Sequence, residues 1–127
     1  MQGQPTRIEL LDAVANFIRS DALPNLEGRP AFLARVAANA VDIVRRELEQ
    51  VHENEAALQA QLAALLGRDG DLDSLNAELC DRIASGDLTL ETPGLADYLW
   101  DLTLREIAVD QPKYASYQRA LEQAKQA

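Results

Sequence analysis

The sequence predicts an all-α protein, a single-domain bundle of five to six helices over residues 1–127, with frayed ends at 1–5 and 125–127. Alanine and leucine dominate a hydrophobic fraction of 47%, whereas aromatic residues make up only 5%. Such a composition favours helices, because strands prefer β-branched and aromatic side chains. Apolar residues also recur three and four positions apart, and all five prolines fall where such periodic segments begin or end.

The first helix begins after Thr6. Thr6 and Glu9 have the spacing of a capping box, in which each side chain binds the other residue's backbone N–H. Pro24 is expected to end the helix, because the residue before a proline avoids the α region. One stripe is apolar and is expected to face the core: Leu10, Leu11, Val14, Phe17 and Ile18.

The second helix, with Pro30 in its first turn, carries two different faces. One face is apolar and is expected to build the core: Phe32, Leu33, Val36, Ala40, Ile43, Val44 and Val51. The opposite face is a polar ridge, accompanied by Ala31, Ala34 and Ala38, and consists of Arg35, Asn39, Asp42 and Arg46. The polar run from His52 to Glu55 predicts a joint near residue 52, although one continuous helix to Leu66 is also compatible with the pattern.

Three more helices complete the predicted bundle. Gly67 ends the segment before it, Asp71 caps a helix that Gly86 ends, and residues 87–90 form an extended connector. Thr92 and Pro93 open the fifth predicted helix as its cap and first residue. Pro112 ends it, and a last helix is expected to dock through Tyr114, Tyr117, Leu121 and Ala124.

The fifth predicted helix is apolar on two sides. Its first face carries Leu95, Leu99, Leu102 and Val109, and its second face carries Trp100, Leu104 and Ile107. A helix with two apolar faces is either central in a bundle or covered by a partner. The sequence leaves both interpretations open.

Charge and cysteine content restrict the partners and the compartment. The net charge is −9, with +1 on residues 1–46 and −10 on residues 47–127. An acidic chain repels nucleic acids and anionic membranes, so neither is an expected partner. A single cysteine, Cys80, and the lack of a signal peptide or an 18-residue apolar run predict a cytoplasmic protein.

No motif predicts catalysis, a metal site or a cofactor. His52 is the only histidine and lies in a polar segment, and Cys80 lies beside an apolar stripe. The acidic run from Asp69 fails as a calcium loop, because Ser74 and Cys80 stand where such a loop needs glycine and glutamate. The chain is therefore not expected to be an enzyme.

The polar ridge is the remaining candidate for a functional surface. It could be a solvated face in which Asp42 and Arg46 form an i, i+4 pair. It could also be a docking or ligand surface, because Asn39 is unfavourable in the middle of a free helix and the neighbouring alanines leave room for close approach.

Several segments together resemble a small bacterial family of uncharacterised helical proteins. They are LPNLEGR, RPAFLARVAANAVDIVRREL, DLDSLNAELCDRIASGDL and VDQPKY, and the resemblance covers about residues 5–117. Members of that family are typically encoded beside an aminoglycoside-phosphotransferase-like kinase and an acyl-CoA dehydrogenase-like enzyme. One member resembles the small partner of a kinase that phosphorylates 4-hydroxyacyl-CoA in levulinate-type catabolism.

The resemblance implies a non-catalytic accessory subunit whose partner is such a kinase, with acyl-CoA reached through that partner. The expected binding residues are the polar ridge and an apolar anchor: Arg35, Asn39, Asp42, Arg46, Trp100 and Leu104. Two other functions remain open. One is a free-standing carrier in which Arg35 and Arg46 hold an acidic group such as a CoA phosphate, and the other is a homodimeric scaffold joined through the fifth predicted helix.

Overall fold

The computed structural model describes residues 3–126, and within that range the fold is all-α with five α-helices and no strand, as predicted. A π-helical turn at Ile18–Ala22 and a 3₁₀ turn at Leu23–Asn25 follow the first helix. The α-helices are α1 (Arg7–Phe17), α2 (Gly28–Leu66), α3 (Leu72–Ala84), α4 (Leu95–Asp110) and α5 (Ala115–Gln126). Of the termini predicted to fray, residues 1, 2 and 127 lie outside the described residues.

The capping box that opens α1 is confirmed. The Thr6 hydroxyl accepts the Glu9 N–H at 3.1 Å, and the Glu9 carboxylate accepts the Thr6 N–H at 3.2 Å. The predicted stop at Pro24 is only approximate, because helical turns continue to Asn25. Pro24 lies at the start of the 3₁₀ turn, where a missing N–H removes no bond of the turn.

The joint predicted near residue 52 is wrong, because α2 is one helix of 39 residues. The run from His52 to Glu55 is polar but contains neither proline nor glycine, and polar side chains on an exposed face do not interrupt the backbone ladder. The end of α2 is as predicted. Gly67 adopts φ +73°, and its N–H donates to the Ala63 carbonyl at 2.9 Å.

Helix α3 begins at its predicted cap, since the Asp71 carboxylate accepts the Ser74 N–H at 2.7 Å. The connector predicted to be extended at residues 87–90 is instead bent at residues 87 and 88 and enters a turn at residue 90. It turns because Leu88 is buried in the core, where apolar burial outweighs the preference for an extended chain.

The predicted start of α4 is two residues too early. Gly94, at φ +94°, is the N-cap, and the Thr92 hydroxyl accepts the N–H of Thr89 rather than capping the helix. The positive φ at Gly94 favours glycine, because a Cβ there would strain the backbone. The helix therefore begins at Leu95.

The chain divides into two compact units, Met1–Val51 and His52–Ala127, with the boundary inside α2. The second unit has a conventional leucine-rich core, which comprises Leu58, Leu62, Leu66, Leu75, Leu79, Leu88, Leu95 and Tyr98. As predicted, Leu95, Leu99 and Leu102 of α4 contribute to this core. Helix α5 has no buried residue within Ala115–Gln126, so the predicted docking is at most partial, through the half-buried Tyr117 and Leu121.

The first unit overturns the predicted core. Among residues 3–51 the buried side chains are all alanines, Ala15, Ala31 and Ala38. The apolar faces expected to be buried are instead substantially exposed, at Leu10, Val14, Phe17, Phe32, Leu33, Val36 and Val44. The alanine side of α2 is therefore the buried one, and its large apolar side is left open.

No helix within residues 3–126 has both the length and the apolar character needed to cross a membrane.

Candidate functional site

Two members of the polar ridge, Asn39 and Asp42, bind an arginine of the preceding helical segment. The Arg19 guanidinium donates to the Asn39 side-chain oxygen at 3.0 Å and to the Asp42 carboxylate at 2.6 Å. Asn39 is therefore a hydrogen-bond acceptor for Arg19, which explains an asparagine in the middle of a helix. Asp42 is the more buried partner, with 18% of its side chain exposed, against 42% for Arg19.

A second arginine, Arg45, extends this network on the other side of Asp42. Its guanidinium lies 3.8 Å from Asp42, 3.4 Å from Asp12 and 3.0 Å from Glu49. The hydrogen bond from Arg19 and the nearby positive charges hold the pKa of Asp42 below its ordinary value, although partial burial opposes this. The hydrogen bond to Glu49 raises the pKa of Arg45. Asp42 and Arg45 therefore both remain charged at neutral pH.

The other two members of the polar ridge are the cations Arg35 and Arg46. Arg35 is exposed, whereas Arg46 is half-buried and contributes to the positive potential around Asp42. The ridge thus consists of two kinds of residue. Asn39 and Asp42 hold the π-helical turn after α1 against α2 within the first unit, and Arg35 presents its charge to solvent.

The apolar anchor predicted on α4 lies in the second unit. Trp100 is 59% exposed, and Leu104 and Ile107 are half-buried at the following helical positions on the same face. We call these three residues the Trp100 surface. The opposite face of α4 is packed in the core, and the second apolar face is open to solvent mainly at Trp100.

A shallow pocket continues from this helix toward α5. Its volume is about 320 Å³, and its lining consists of Glu106, Ile107, Asp110, Gln111 and Tyr114. Tyr114 is half exposed. The pocket combines an apolar floor with two carboxylates, a lining that suits a cationic or mixed group better than a phosphate.

Polar contacts fix α4 in place beneath the Trp100 surface. The Asp101 carboxylate accepts hydrogen bonds from Gln61 and, at 2.8 Å, from Arg105, which also donates to Asn54 at 2.8 Å. Partial burial raises the pKa of Asp101, but these hydrogen bonds outweigh it and hold the pKa below its ordinary value. The Trp100 surface therefore rests on a firmly held helix.

Sequence reasoning missed the central role of Tyr98. Tyr98 is only 1% exposed, and its hydroxyl donates to the Asn76 side-chain oxygen at 3.0 Å. Burial raises the pKa of its phenol. A signal was available, because Tyr98 lies three residues after Leu95 and four before Leu102, on the face that was expected to be buried.

The residues considered for chemistry are dispersed. His52 and the free Cys80 are both exposed. No group of three or more His, Cys, Asp or Glu side chains is arranged to hold a metal ion within residues 3–126. The acidic segment after Gly67 has a structural use, since Asp71 caps α3.

Comparison with known proteins identifies the family of the chain. The family model described as Domain of unknown function (DUF6285) matches residues 24–114, which is well over half of the chain. The matched range includes α2, α3 and α4, and therefore both the polar ridge and the Trp100 surface. No curated protein and no solved structure matches the chain. The chain belongs to the DUF6285 family.

Proposed function

We propose that this protein is a non-catalytic accessory subunit of an aminoglycoside-phosphotransferase-like kinase, one that acts on a hydroxyacyl-CoA or a related hydroxy acid derivative. The identity of the partner comes from the family resemblance of the sequence. The observation that supports a docking role is the exposed Trp100, a large apolar side chain that remains open to solvent on a well-packed helix.

Tryptophan is well suited to anchor a protein partner. An exposed indole costs solvation free energy that a fitted pocket recovers, and tryptophan is enriched among interface residues that dominate binding. Leu104 and Ile107 extend the apolar contact along α4 by nearly two helical turns. Because Asp97 and Asp110 are exposed one helical turn from Trp100 and Ile107, the complementary kinase surface should be apolar with a basic rim.

Fewer residues of the polar ridge are proposed to bind the partner than the sequence predicted. Asn39 and Asp42 bind Arg19, so they support the shape of the first unit. Arg35 is the exposed cation of the ridge and the candidate for a contact with an acidic group of the partner or of acyl-CoA held by the partner. The proposal therefore assigns binding to Arg35 and to the Trp100 surface.

Co-expression with an aminoglycoside-phosphotransferase-like kinase of the same organism, followed by affinity capture and size-exclusion chromatography, tests the proposal. Co-migration of the two proteins supports it. Trp100→Ala should weaken capture by tenfold or more, since aromatic anchors often account for about 2 kcal/mol or more of binding. Leu90→Ala is the matched control, because Leu90 is 70% exposed on a different segment.

Two results would contradict the proposal. One is that the kinase and the wild-type chain never co-migrate. The other is that the isolated chain is stabilised against heat by acyl-CoA in a thermal-shift assay while Trp100→Ala leaves kinase capture unchanged, which favours the free-standing carrier.

A further inference from the structure

The first unit carries a second open surface, which the kinase proposal does not use. On α2 the side opposite the buried Ala31 and Ala38 is open to solvent, with Phe32 61% exposed and Val36 48% exposed. An exposed apolar stripe on a well-formed helix is unusual for a surface that meets only water. The stripe therefore requires a partner that covers it.

The order of residues along this stripe indicates what the partner is. We define the α2 seam as Arg29, Leu33, Val36, Ala40, Ile43 and Glu47. Their spacings, four and three in alternation, are those of a coiled-coil seam. The spacings are the same when they are counted from either end, so the seam is symmetric about position 38. Two copies of α2 packed antiparallel would therefore bring each seam position opposite its symmetric counterpart.

Charge selects this antiparallel arrangement. With a twofold axis at position 38, Arg29 of one copy lies opposite Glu47 of the other, Leu33 opposite Ile43, and Val36 opposite Ala40. A parallel pair would instead place Arg29 against Arg29 and Glu47 against Glu47, which is repulsive. Among the ion pairs within residues 3–126, none uses Arg29 or Glu47.

The size and net charge of the surface agree with a second copy. At about 150 to 250 Å² for a fully exposed aromatic side chain and somewhat less for Leu or Val, the stripe presents on the order of 400 Å² of apolar surface per copy. Homodimer interfaces are about 65% apolar, so a pair would bury roughly 1,200 Å² in all, the lower limit for a stable complex. Residues 1–51 carry six arginines against seven acids, a net −1 of the chain's −9, so the repulsion between two such units is small.

We propose that the α2 seam is the interface between two copies of this chain, packed antiparallel about position 38. Ala40 and Val36 are small enough at the centre to let the two helices approach closely, and the two Arg29–Glu47 pairs lie at the ends. The exposed Phe32 and Val44 flank the seam. This inference is independent of kinase binding.

Sedimentation velocity of the purified full chain across micromolar concentrations tests the proposal. The wild type should form dimers. Arg29→Glu and Glu47→Arg should each raise the dissociation constant by tenfold or more, because each change puts like charges opposite one another twice per dimer. The double variant, Arg29→Glu with Glu47→Arg, should restore dimerisation, because the opposite charges are paired again. Glu53→Arg, an exposed change on the same helix outside the seam, is the control and should leave the dimer intact.

Three results would overturn the proposal: a monomeric wild type at high micromolar concentration, a dimer that Arg29→Glu leaves unchanged, or a double variant that stays monomeric. Leu33→Asp separates the possible partners, since Leu33 is exposed and its replacement should not unfold the monomer. If the wild type is monomeric and Leu33→Asp abolishes kinase capture, the stripe belongs to the kinase interface and not to a second copy. Loss of the dimer with kinase capture intact confirms the dimer proposal.

Discussion

Arg19 donates a hydrogen bond to Asp42 at 2.6 Å. This bond joins the turn after α1 to the section of α2 that belongs to the first unit. The same guanidinium binds Asn39, one helical turn earlier. The two acceptors were predicted as part of a working surface, but their polar groups are engaged by an arginine of the same chain. A polar ridge on a helix can therefore be an intramolecular contact for a neighbouring segment, and an asparagine among alanines is a sign of it.

We expect Asp42→Asn to destabilise the protein by about 1 kcal/mol. The variant keeps the size of the side chain but replaces a charge-assisted hydrogen bond with a neutral one, and partial exposure of Arg19 limits the cost. Urea unfolding followed by circular dichroism measures the change. Asp69→Asn serves as the control, because Asp69 is exposed in the loop before α3 and its side chain forms no hydrogen bond or ion pair with a residue of the described range 3–126. Equal stability of the two variants would contradict a stabilising role for the Arg19–Asp42 contact.

The stability of the protein should fall as the pH drops below about 4. Asp42 and Asp101 both have pKa values held below the ordinary value in the folded state. In the unfolded chain an aspartate titrates at about 3.9, so the unfolded state binds more protons in this range. The stabilisation is complete above the unfolded pKa and is lost as the pH falls through the folded pKa. Unfolding in urea at a series of pH values should show this slope, and Asp42→Asn should reduce it. A slope unchanged in the variant would contradict the prediction.

Ala38→Leu should destabilise the protein by about 1 to 3 kcal/mol. Ala38 is completely buried, so the larger side chain has no space and must displace a helix. Thermal unfolding of the variant measures the effect, and Ala60→Leu, an exposed change on the same helix, is the control. If Ala38→Leu were as stable as the control, tight packing around the alanine side of α2 would be contradicted.

The sequence predicts the helices better than it predicts which faces are buried. Caps and breakers act locally, so Thr6, Asp71 and Gly67 could be identified without tertiary information. Periodicity, however, locates an apolar face without saying what covers it. Helix α2 has two faces that could have been buried, one with large apolar residues and one with alanines. The structure buries the alanine face.

The same distinction applies to the candidate site. The exposed Trp100 agrees with one of the two interpretations that the sequence leaves open, since a helix with two apolar faces is either central in a bundle or open to a partner on one side. The Arg19 contacts could not be anticipated, since they join residues twenty and twenty-three positions apart and depend on how α1 packs on α2. Pairing between helical segments is a tertiary property, so the position of Asn39 among alanines indicates a contact but does not identify Arg19 as its partner.

Tyr98 should be the most sensitive aromatic position of the second unit. Its ring is in the core and its hydroxyl donates to Asn76, so Tyr98→Phe keeps the packing but leaves the Asn76 oxygen without this donor, at a cost of about 1 kcal/mol. Tyr98→Ala should cost about 3 to 5 kcal/mol, because it also empties the space that the ring fills. Tyr114→Phe, at a half-exposed position, should be nearly neutral by comparison. Urea denaturation of the three variants measures these differences.

Burial also raises the pKa of the Tyr98 phenol, so an alkaline absorbance titration should show one tyrosine that ionises late. That late phase should be missing in Tyr98→Phe. A titration of Tyr98→Phe that retains the late phase would show that another tyrosine is the buried one.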